Sequence, residues 1–302
     1  MCSFPPVDIC GEPNGDSDVP FVMDDYDIGH SEHVARESDR PESPLLSLPL
    51  LALTVDPTTL ALLIAAAFLA GFVDSIAGGG GLISLPALLM AGIPPVEAVA
   101  TNKLQSTFGT AMASYRYWKS GLVETKGLAL NVAASALGAA LGSFALNFID
   151  AAILQRIIPV LMIAIALYFA FGPKASDVDS HARLTPLAFA AGIVAPIGFY
   201  DGMFGPGTGS FFALGFVTLA GFGLLKATAN TKILNLASNF AGLMVMIWNA
   251  QAIFAIGLPM AIGQTLGAYA GARTAITHGA KIIRPLIVVV SVAIAIRLLM
   301  KG

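Results

Sequence analysis

The chain has 302 residues, 56% hydrophobic and only 12% charged, with a mean hydropathy of +0.78. A soluble domain of this size carries about a quarter charged residues, so the composition argues against an ordinary soluble domain and for the bilayer. The net charge of −3 averages two unlike parts: 11 of the 19 acidic residues lie in the first 45 positions, opposed there by Arg36 and Arg40, whereas from residue 46 onward 14 Lys and Arg accompany 8 Asp and Glu.

Residues 1–50 are rich in Pro, Asp, Glu, Ser and Gly and lack apolar periodicity. Such a composition buries too little surface to offset chain entropy, which predicts a disordered acidic tail. It has no basic n-region followed by an apolar h-region, so it does not read as a signal peptide. Cys2 and Cys10 both fall in this tail, so neither a disulfide framework nor a metal site is expected.

Beyond it, runs long enough to cross about 30 Å of hydrocarbon cover 94–118, 125–148, 152–172, 224–248, 252–272 and 281–300. Two further apolar stretches, 57–92 and 185–221, are too long for one helix, and Gly-rich runs interrupt them: GFVDSIAGGGG at 71–81 and GFYDGMFGPGTGS at 198–210. A polar connector, PKASDVDSHARL, occupies 173–184 and separates a first membrane repeat (51–172) from a second (185–302). The repeat is legible in recurring landmarks. GFVDS matches GFYDG, ATNKLQS (100–106) matches ANTKILN (229–235), Trp118 matches Trp248, and GAALGSFALN (138–147) parallels GQTLGAYAGA (263–272).

Charge placement indicates how the interrupted segments run. If each crosses once, the basic residues from Arg116 onward divide seven (116, 119, 126, 174, 183, 297, 301) against five (156, 226, 273, 281, 284). If each is a hairpin of two half-helices, nine of them (116, 119, 126, 174, 183, 226, 273, 281, 284) share one side against three (156, 297, 301). The second division obeys the positive-inside rule. The expected fold is therefore an all-α polytopic membrane protein of two inverted repeats. It would have about eight spanning helices and two re-entrant hairpins, up to ten helical segments in all, as in secondary transporters.

Away from the segment ends the ionisable residues are Asp74, Lys103, Asp201 and Lys232, with Glu97 nearer an interface. A charge at mid-bilayer costs several kcal/mol, so such groups face a cavity or a partner. One reading gives Lys103 and Lys232 the positive charge for an anion, with Thr101, Asn102, Asn230, Thr231 and Asn235 as neutral hydrogen-bonding groups. The other pairs the four charges as Asp–Lys bridges that hold the halves together, and for Asp74 and Asp201 proton carriage and salt bridging stay equally open. The breaks themselves would expose the backbone N–H groups of half-helices starting near Gly81 and Gly209, where the macrodipole is positive. On this reading Gly80, Gly81, Gly207, Gly209 and Ser210 line a binding site. Gly78, Gly79 and Gly205 permit the break and Pro206 enforces it.

Other motifs carry less. Asp74 and Asp201 invite an intramembrane aspartyl protease, but no GxGD follows; GPGTGS lacks the Lys-Ser/Thr of a phosphate loop. His181 and His278 read as solvated loop histidines rather than ligands. No cofactor or metal is called for, and no nucleophile, base or metal cluster of a membrane enzyme is visible.

Together GFVDSIAGGGGLISLPALL, PP-x-EA-x-ATNKLQ, GFYDGMFGPGTGSFFALGF and ATANTKILNLASN resemble the TauE/SafE/YfcA (TSUP, sulfite exporter) family of membrane transporters, its YfcA-like branch above all, over about 57–300. The resemblance implies a multi-pass protein of a prokaryotic inner membrane that moves small anions, often sulfur-containing, such as sulfite or sulfoacetate. It marks Asp74, Gly78 to Gly81, Asn102, Lys103, Asp201, Gly205, Pro206, Gly207, Gly209, Thr231, Lys232 and Asn235 as the family's characteristic positions; the long acidic tail departs from its pattern. The expected function is a secondary transporter exporting such an anion by alternating access. An anion channel and a thiosulfate or organic-anion importer are the alternatives. The partners it allows are the small anion, the lipid bilayer and a second copy of the chain, with no nucleic acid.

Overall fold

The computed structural model describes residues 56–150 and 178–279, with positions 152, 153, 157 and 160 between them. The tail with Cys2 and Cys10, most of the span expected over 152–172, the start of the connector and the span expected over 281–300 lie outside the described residues. Among the described residues every regular element is helical. The helices are α1 (Pro57–Ala77), α2 (Gly81–Met90), α3 (Pro95–Lys119), α4 (Leu128–Leu146), α5 (Pro186–Met203), α6 (Thr208–Thr218), α7 (Leu224–Trp248) and α8 (Phe254–His278).

Local chemistry sets the helix ends. Asp56 caps α1 by accepting from the Thr59 N–H at 3.1 Å, with Pro57 at the first helical position, and Thr185 and Pro186 repeat that start for α5. Pro95 likewise opens α3. Within α5, residues Ala190–Val194 form a π turn just ahead of Pro196; proline has no N–H to donate, and the widened turn absorbs the lost bond.

Both Gly-rich runs are chain reversals, but narrower than the sequence indicates. α1 stays helical through Asp74 to Ala77 and α5 through Asp201 to Met203, so both aspartates occupy last turns of helices rather than the breaks. Gly78, with φ of 83°, ends α1, and Gly205 and Gly207, with φ of 90° and 80°, turn the second break. Past each break the chain doubles back. Gly80 lies against the backbone of Ala70, ten residues earlier, whereas a continued helix would put them about 15 Å apart. Tyr200 packs edge-on to Phe211 at 5.7 Å and Phe189 meets Phe216 at 5.1 Å, so α6 runs antiparallel beside α5.

α3 and α7 are antiparallel. The Glu124 N–H, just past α3, donates to Asn230 Oδ1 near the start of α7 (3.1 Å), and the Ile253 N–H, past α7, donates to Thr101 Oγ1 near the start of α3 (3.2 Å). Around them, helix pairs join the two stretches of sequence. α1 packs along α8, where Gly71, Gly263, Gly267 and Gly271 let carbonyl groups of the facing helix approach, and α4 packs along α5 through Gly138, Gly142, Gly198 and Gly202 in the same way. Glycines at four-residue spacing form a flat ridge, the close-packing device of helices in lipid.

α8 extends to His278, six residues beyond the expected span, which carries Arg273 into the helix. Three helices, α1, α4 and α5, are long and apolar enough to cross a membrane by composition alone. Of the others expected as clear spans, α3 and α7 fall short because they carry polar residues, which turn inward: α3 buries Thr101, Asn102, Lys103, Gln105, Ser106, Thr110 and Ser114, and α7 an equivalent set. Leu62, Leu69, Leu137, Leu141, Phe144, Ile262 and Leu266 are exposed instead. A polar interior under an apolar exterior is the inverse of a soluble fold and suits hydrocarbon.

Substituting a seam glycine tests the packing. Gly267→Ala and Gly202→Ala each place a methyl against a facing backbone carbonyl and should cost about 1–3 kcal/mol, seen as a lower melting temperature of the detergent-solubilised protein. Gly192→Ala, whose methyl would meet nothing within 4 Å, should show no loss.

Candidate functional site

The two breaks meet each other. A Cβ at Gly78 would collide with the backbone of Gly209, Gly81 packs on Pro206, and Ser210 Oγ donates to the Ala77 carbonyl at 2.5 Å. Where two backbones cross this closely only glycine fits at Gly78 and Gly209, and at Gly78 the positive φ demands it as well.

Beside the crossing stand the four charges, and each aspartate takes its lysine from the other half of the chain. Lys232 on α7 donates to both the carbonyl oxygen and the carboxylate of Asp74, with Nζ to Oδ2 at 3.2 Å. Lys103 on α3 holds its Nζ 3.6 Å from Asp201 Oδ1. The lysine side chains are 1% (Lys103) and 0% (Lys232) exposed, Asp201 2% and Asp74 13%. Each aspartate sits in the last turn of its helix, at the negative end of the macrodipole, so each lysine offsets a carboxylate and a helix terminus together.

The pairs differ in detail. Asp74 is fully engaged: Oδ2 takes Lys232, and Oδ1 takes the Gly80 N–H at 3.4 Å, just ahead of α2. Asp201 is not. Its Oδ1 faces the Thr208 hydroxyl at 3.0 Å, but that hydroxyl also lies 2.7 Å from the Gly205 carbonyl and has one proton for both. Asp201 Oδ2 and Lys103 Nζ are buried without any hydrogen-bond partner. The stem of Lys103 runs against Gly242, beside Ser143, whose hydroxyl donates to the Gly202 carbonyl at 2.9 Å.

The other candidate residues divide. Asn102 Oδ1 receives the Ser84 hydroxyl at 2.5 Å and Gln105 Nε2 at 3.0 Å. The side-chain oxygens of Thr101 and Asn230 receive the loop N–H groups that tie α3 to α7. Thr231 Oγ1 and Asn235 Oδ1, one turn apart on α7, are buried and unpartnered, and the Asn235 amide lies against Gly209. Gly79 has room around it, while Gly207 caps α6 in the left-handed conformation. Sequence reasoning passed over Thr208, although it is the first residue of the half-helix named there. It also missed Ser84, Gln105 and Tyr117, whose hydroxyl donates to the Ser75 carbonyl at 2.8 Å. Isolated polar residues on apolar helices were the available signal.

A cleft of about 360 Å³ between α5 and α6 is not this site: Ile193, Ile197, Phe211 and Leu214 line it, and none of the four charged residues does. Its apolar walls suit acyl chains, not an anion.

At one end of the body a second set of charges gathers. Lys226 Nζ lies 3.0 Å from Glu124 Oε2 and 3.8 Å from Asp179 Oδ2, and Asp179 Oδ1 accepts the Gly223 N–H at 2.6 Å. Arg116 lies over the Tyr269 ring at 4.8 Å. The Lys226 ammonium, hydrogen-bonded to Glu124, holds that carboxyl below the usual carboxylate range. His181 lies in the connector, and His278 closes α8 with Nδ1 2.8 Å from Thr277 Oγ1.

Helices exposing an apolar surface around paired charges and two reversals define a helical membrane protein. The sulfite exporter TauE/SafE family model matches residues 63–298, and the chain belongs to that family. It is 54% identical over 240 residues to a probable membrane transporter protein, ORF9, of Sinorhizobium sp., covering 80% of this chain and 92% of that one. It is 45% identical over 245 residues to the probable membrane transporter protein YfcA of Escherichia coli K12, covering 81% and 91%. A probable membrane transporter protein of Haemophilus influenzae is 44% identical over 232 residues, covering 77% and 91%. No solved structure matches the chain.

Two outcomes follow from the charges. Asp74→Asn strands the buried Lys232 ammonium and should cost about 3–5 kcal/mol, measured as a drop in melting temperature. Adding Lys232→Gln should recover much of it, a coupling that a double-mutant cycle reads directly. At the charged end, a carboxyl held low contributes stability at neutral pH and loses it as pH falls through the lowered value. Acid should therefore lower the amide protection factors over 219–226, relative to the intrinsic exchange rate at each pH, and Glu124→Gln should show the lower protection already at neutral pH.

Proposed function

We propose that the protein is a secondary transporter of the prokaryotic inner membrane that exports small anions, sulfur oxyanions such as sulfite or sulfoacetate among them, by alternating access of two inverted repeats. The observation that carries the reading is the buried lysine beside a helix reversal. It supplies positive charge next to the first turn of a half-helix, inside an otherwise apolar body.

Several features support the topology. The helices from 57 to 146 and from 186 to 278 follow in one order: long helix, reversal, short helix, 25-residue helix, small-residue helix. Their central members, α3 and α7, are antiparallel, as inversion requires. Lys226 touches Glu124 and Arg116 touches Tyr269, contacts that favour the division in which Arg116, Lys119, Lys126, Arg183, Lys226 and Arg273 share one side. By the positive-inside rule that side faces the cytoplasm. An anion leaving a negative interior gains about 2.3 kcal/mol per charge per 100 mV, enough to drive export without a nucleotide.

The test is flux from proteoliposomes loaded with sulfite, sulfoacetate, thiosulfate or a carboxylate, under an imposed potential. Saturable release of a sulfur oxyanion, faster with the loaded side negative, is the expected result. Saturable movement of thiosulfate or a carboxylate alone would make the chain an importer-type carrier. Unsaturable electrical conductance would make it a channel.

A further inference from the structure

We propose that the two crossed ion pairs have unlike tasks. The pair of Lys103 with Asp201 seats the anion, taken as a singly protonated oxyanion of the hydrogensulfite type, while the pair of Lys232 with Asp74 is a positioning tie that never meets it. The proposal rests on the transport reading above and narrows it to one site and one protonation state of the cargo.

The argument starts from hydrogen-bond accounting. A buried charged donor or acceptor without a partner is costly, more so than a neutral one. Lys232 and Asp74 satisfy each other, and the Gly80 N–H completes the carboxylate. Neither charged group there lacks a partner.

At the second pair the accounting does not close. Lys103 Nζ is 1% exposed and stands 3.6 Å from Asp201, too far to donate to it. Its donors go unused, as does the acceptor Asp201 Oδ2. A guest that balances both must accept from an ammonium and donate to a carboxylate oxygen at once. A fully ionised oxyanion does only the first, and its oxygens would repel Asp201. A hydrogen-oxyanion does both, its O–H donating to Asp201 Oδ2 and its charged oxygens receiving Lys103. The start of α6, at Thr208, adds the positive end of a macrodipole on the same side.

The same arrangement gives the proton a place. Cargo and Asp201 share one proton, so each anion is carried with one, whichever oxygen holds it during the crossing. The titratable groups facing Asp201 are Lys103 from α3 and Tyr200 on its own helix, whose hydroxyl is committed to the Pro206 carbonyl at 2.6 Å. Among the described residues α4 and α6 bring only the Ser143 and Thr208 hydroxyls. Occupancy by a hydrogen-oxyanion then falls as rising pH removes the cargo's own proton.

The experiment measures radiolabelled sulfite transport in proteoliposomes across the pH range in which sulfite gains its proton, together with the sulfite-induced rise in melting temperature of purified protein. In the wild type, KM for total sulfite should rise with pH in proportion to the loss of hydrogensulfite. Lys103→Gln should raise KM about tenfold or more and abolish the thermal shift, with partial recovery in Lys103→Arg. Asp201→Asn, which can donate where the carboxylate could only accept, should lose the wild-type pH dependence. Asp74→Asn with Lys232→Gln should keep the wild-type KM, its pH dependence and the thermal shift, whatever its yield. Should that double variant not fold, the charge-exchanged pair Asp74→Lys with Lys232→Asp makes the same comparison. A KM flat across pH, or a KM raised in the Asp74/Lys232 variants and unmoved in Lys103→Gln, overturns the proposal while leaving transport intact. A wild type that neither moves nor binds any anion of the panel overturns the transport reading, and this one with it.

Discussion

A charge carried into hydrocarbon must find an opposite charge, and here Asp74, Lys103, Asp201 and Lys232 each find it in the other half. Asp74 is answered by Lys232, 158 residues on, and Asp201 by Lys103. Everything central to the structure follows from that crossing. The aspartates sit at helix C-termini, which alone would expel them, and the lysines come from the middle of the two antiparallel helices, α3 and α7. For both ties to form at once the two reversals must lie back to back, which is why Gly78 and Gly209 allow backbone to meet backbone. The seams of α1 with α8 and of α4 with α5 serve the same end, because each locks a helix bearing an aspartate to a helix of the other half.

Both reversals and all four charges were legible in the sequence, because nothing in an apolar span disguises four glycines or a carboxylate. The hairpin also was legible, through the uneven placement of Lys and Arg. Bridges holding the halves together were one of the two readings of the four charges, but the individual partners were not legible. Sequence spacing places Lys103 on a face of α3 but does not say which aspartate that face meets, and pairing within a half satisfies the same electrostatics. The choice is made by glycine ridges such as Gly263, Gly267 and Gly271, whose partner helix no periodicity names. The extents of α3 and α7 were legible, as the runs 94–118 and 224–248, but not that each turns its polar side to a sealed interior. The reach of α1 to Ala77 was hidden for another reason: Gly71 and Asp74 read as part of the break, yet the helix runs through both and ends only where Gly78 takes a positive φ.

Thr101 and Asn230 show how residue type and position part company. Adjacent to the Asn-Lys and Thr-Lys pairs, they look like ligands for the same anion. One residue along a helix is a rotation of about 100°, and two residues nearly reverse the direction a side chain faces, so Thr101 and Asn230 point away from Lys103 and Lys232. Their oxygens hold Ile253 and Glu124, the loops of the opposite half. Those two ties occupy matching places at the two ends of α3 and α7, but their surroundings differ. One end adds Glu124, Lys226 and Asp179, a charged cluster at the water interface; the other adds the neutral bond from Gln251 Nε2 to Asn147 Oδ1 at 2.6 Å.

That difference bears on how such a body opens. On the transport reading proposed above, an anion reaches Lys103 only where the halves part at one end. Parting at the charged end separates exposed ion pairs, a penalty that falls with ionic strength, and also bares the cluster around Phe216, Leu224 and Ala227. Parting at the other end breaks the Gln251–Asn147 and Ile253–Thr101 bonds and bares the cluster around Leu63, Leu88 and Ile253, a loss that salt does not screen. Both ends are thus closed by burial, and the charged end adds ties that salt screens.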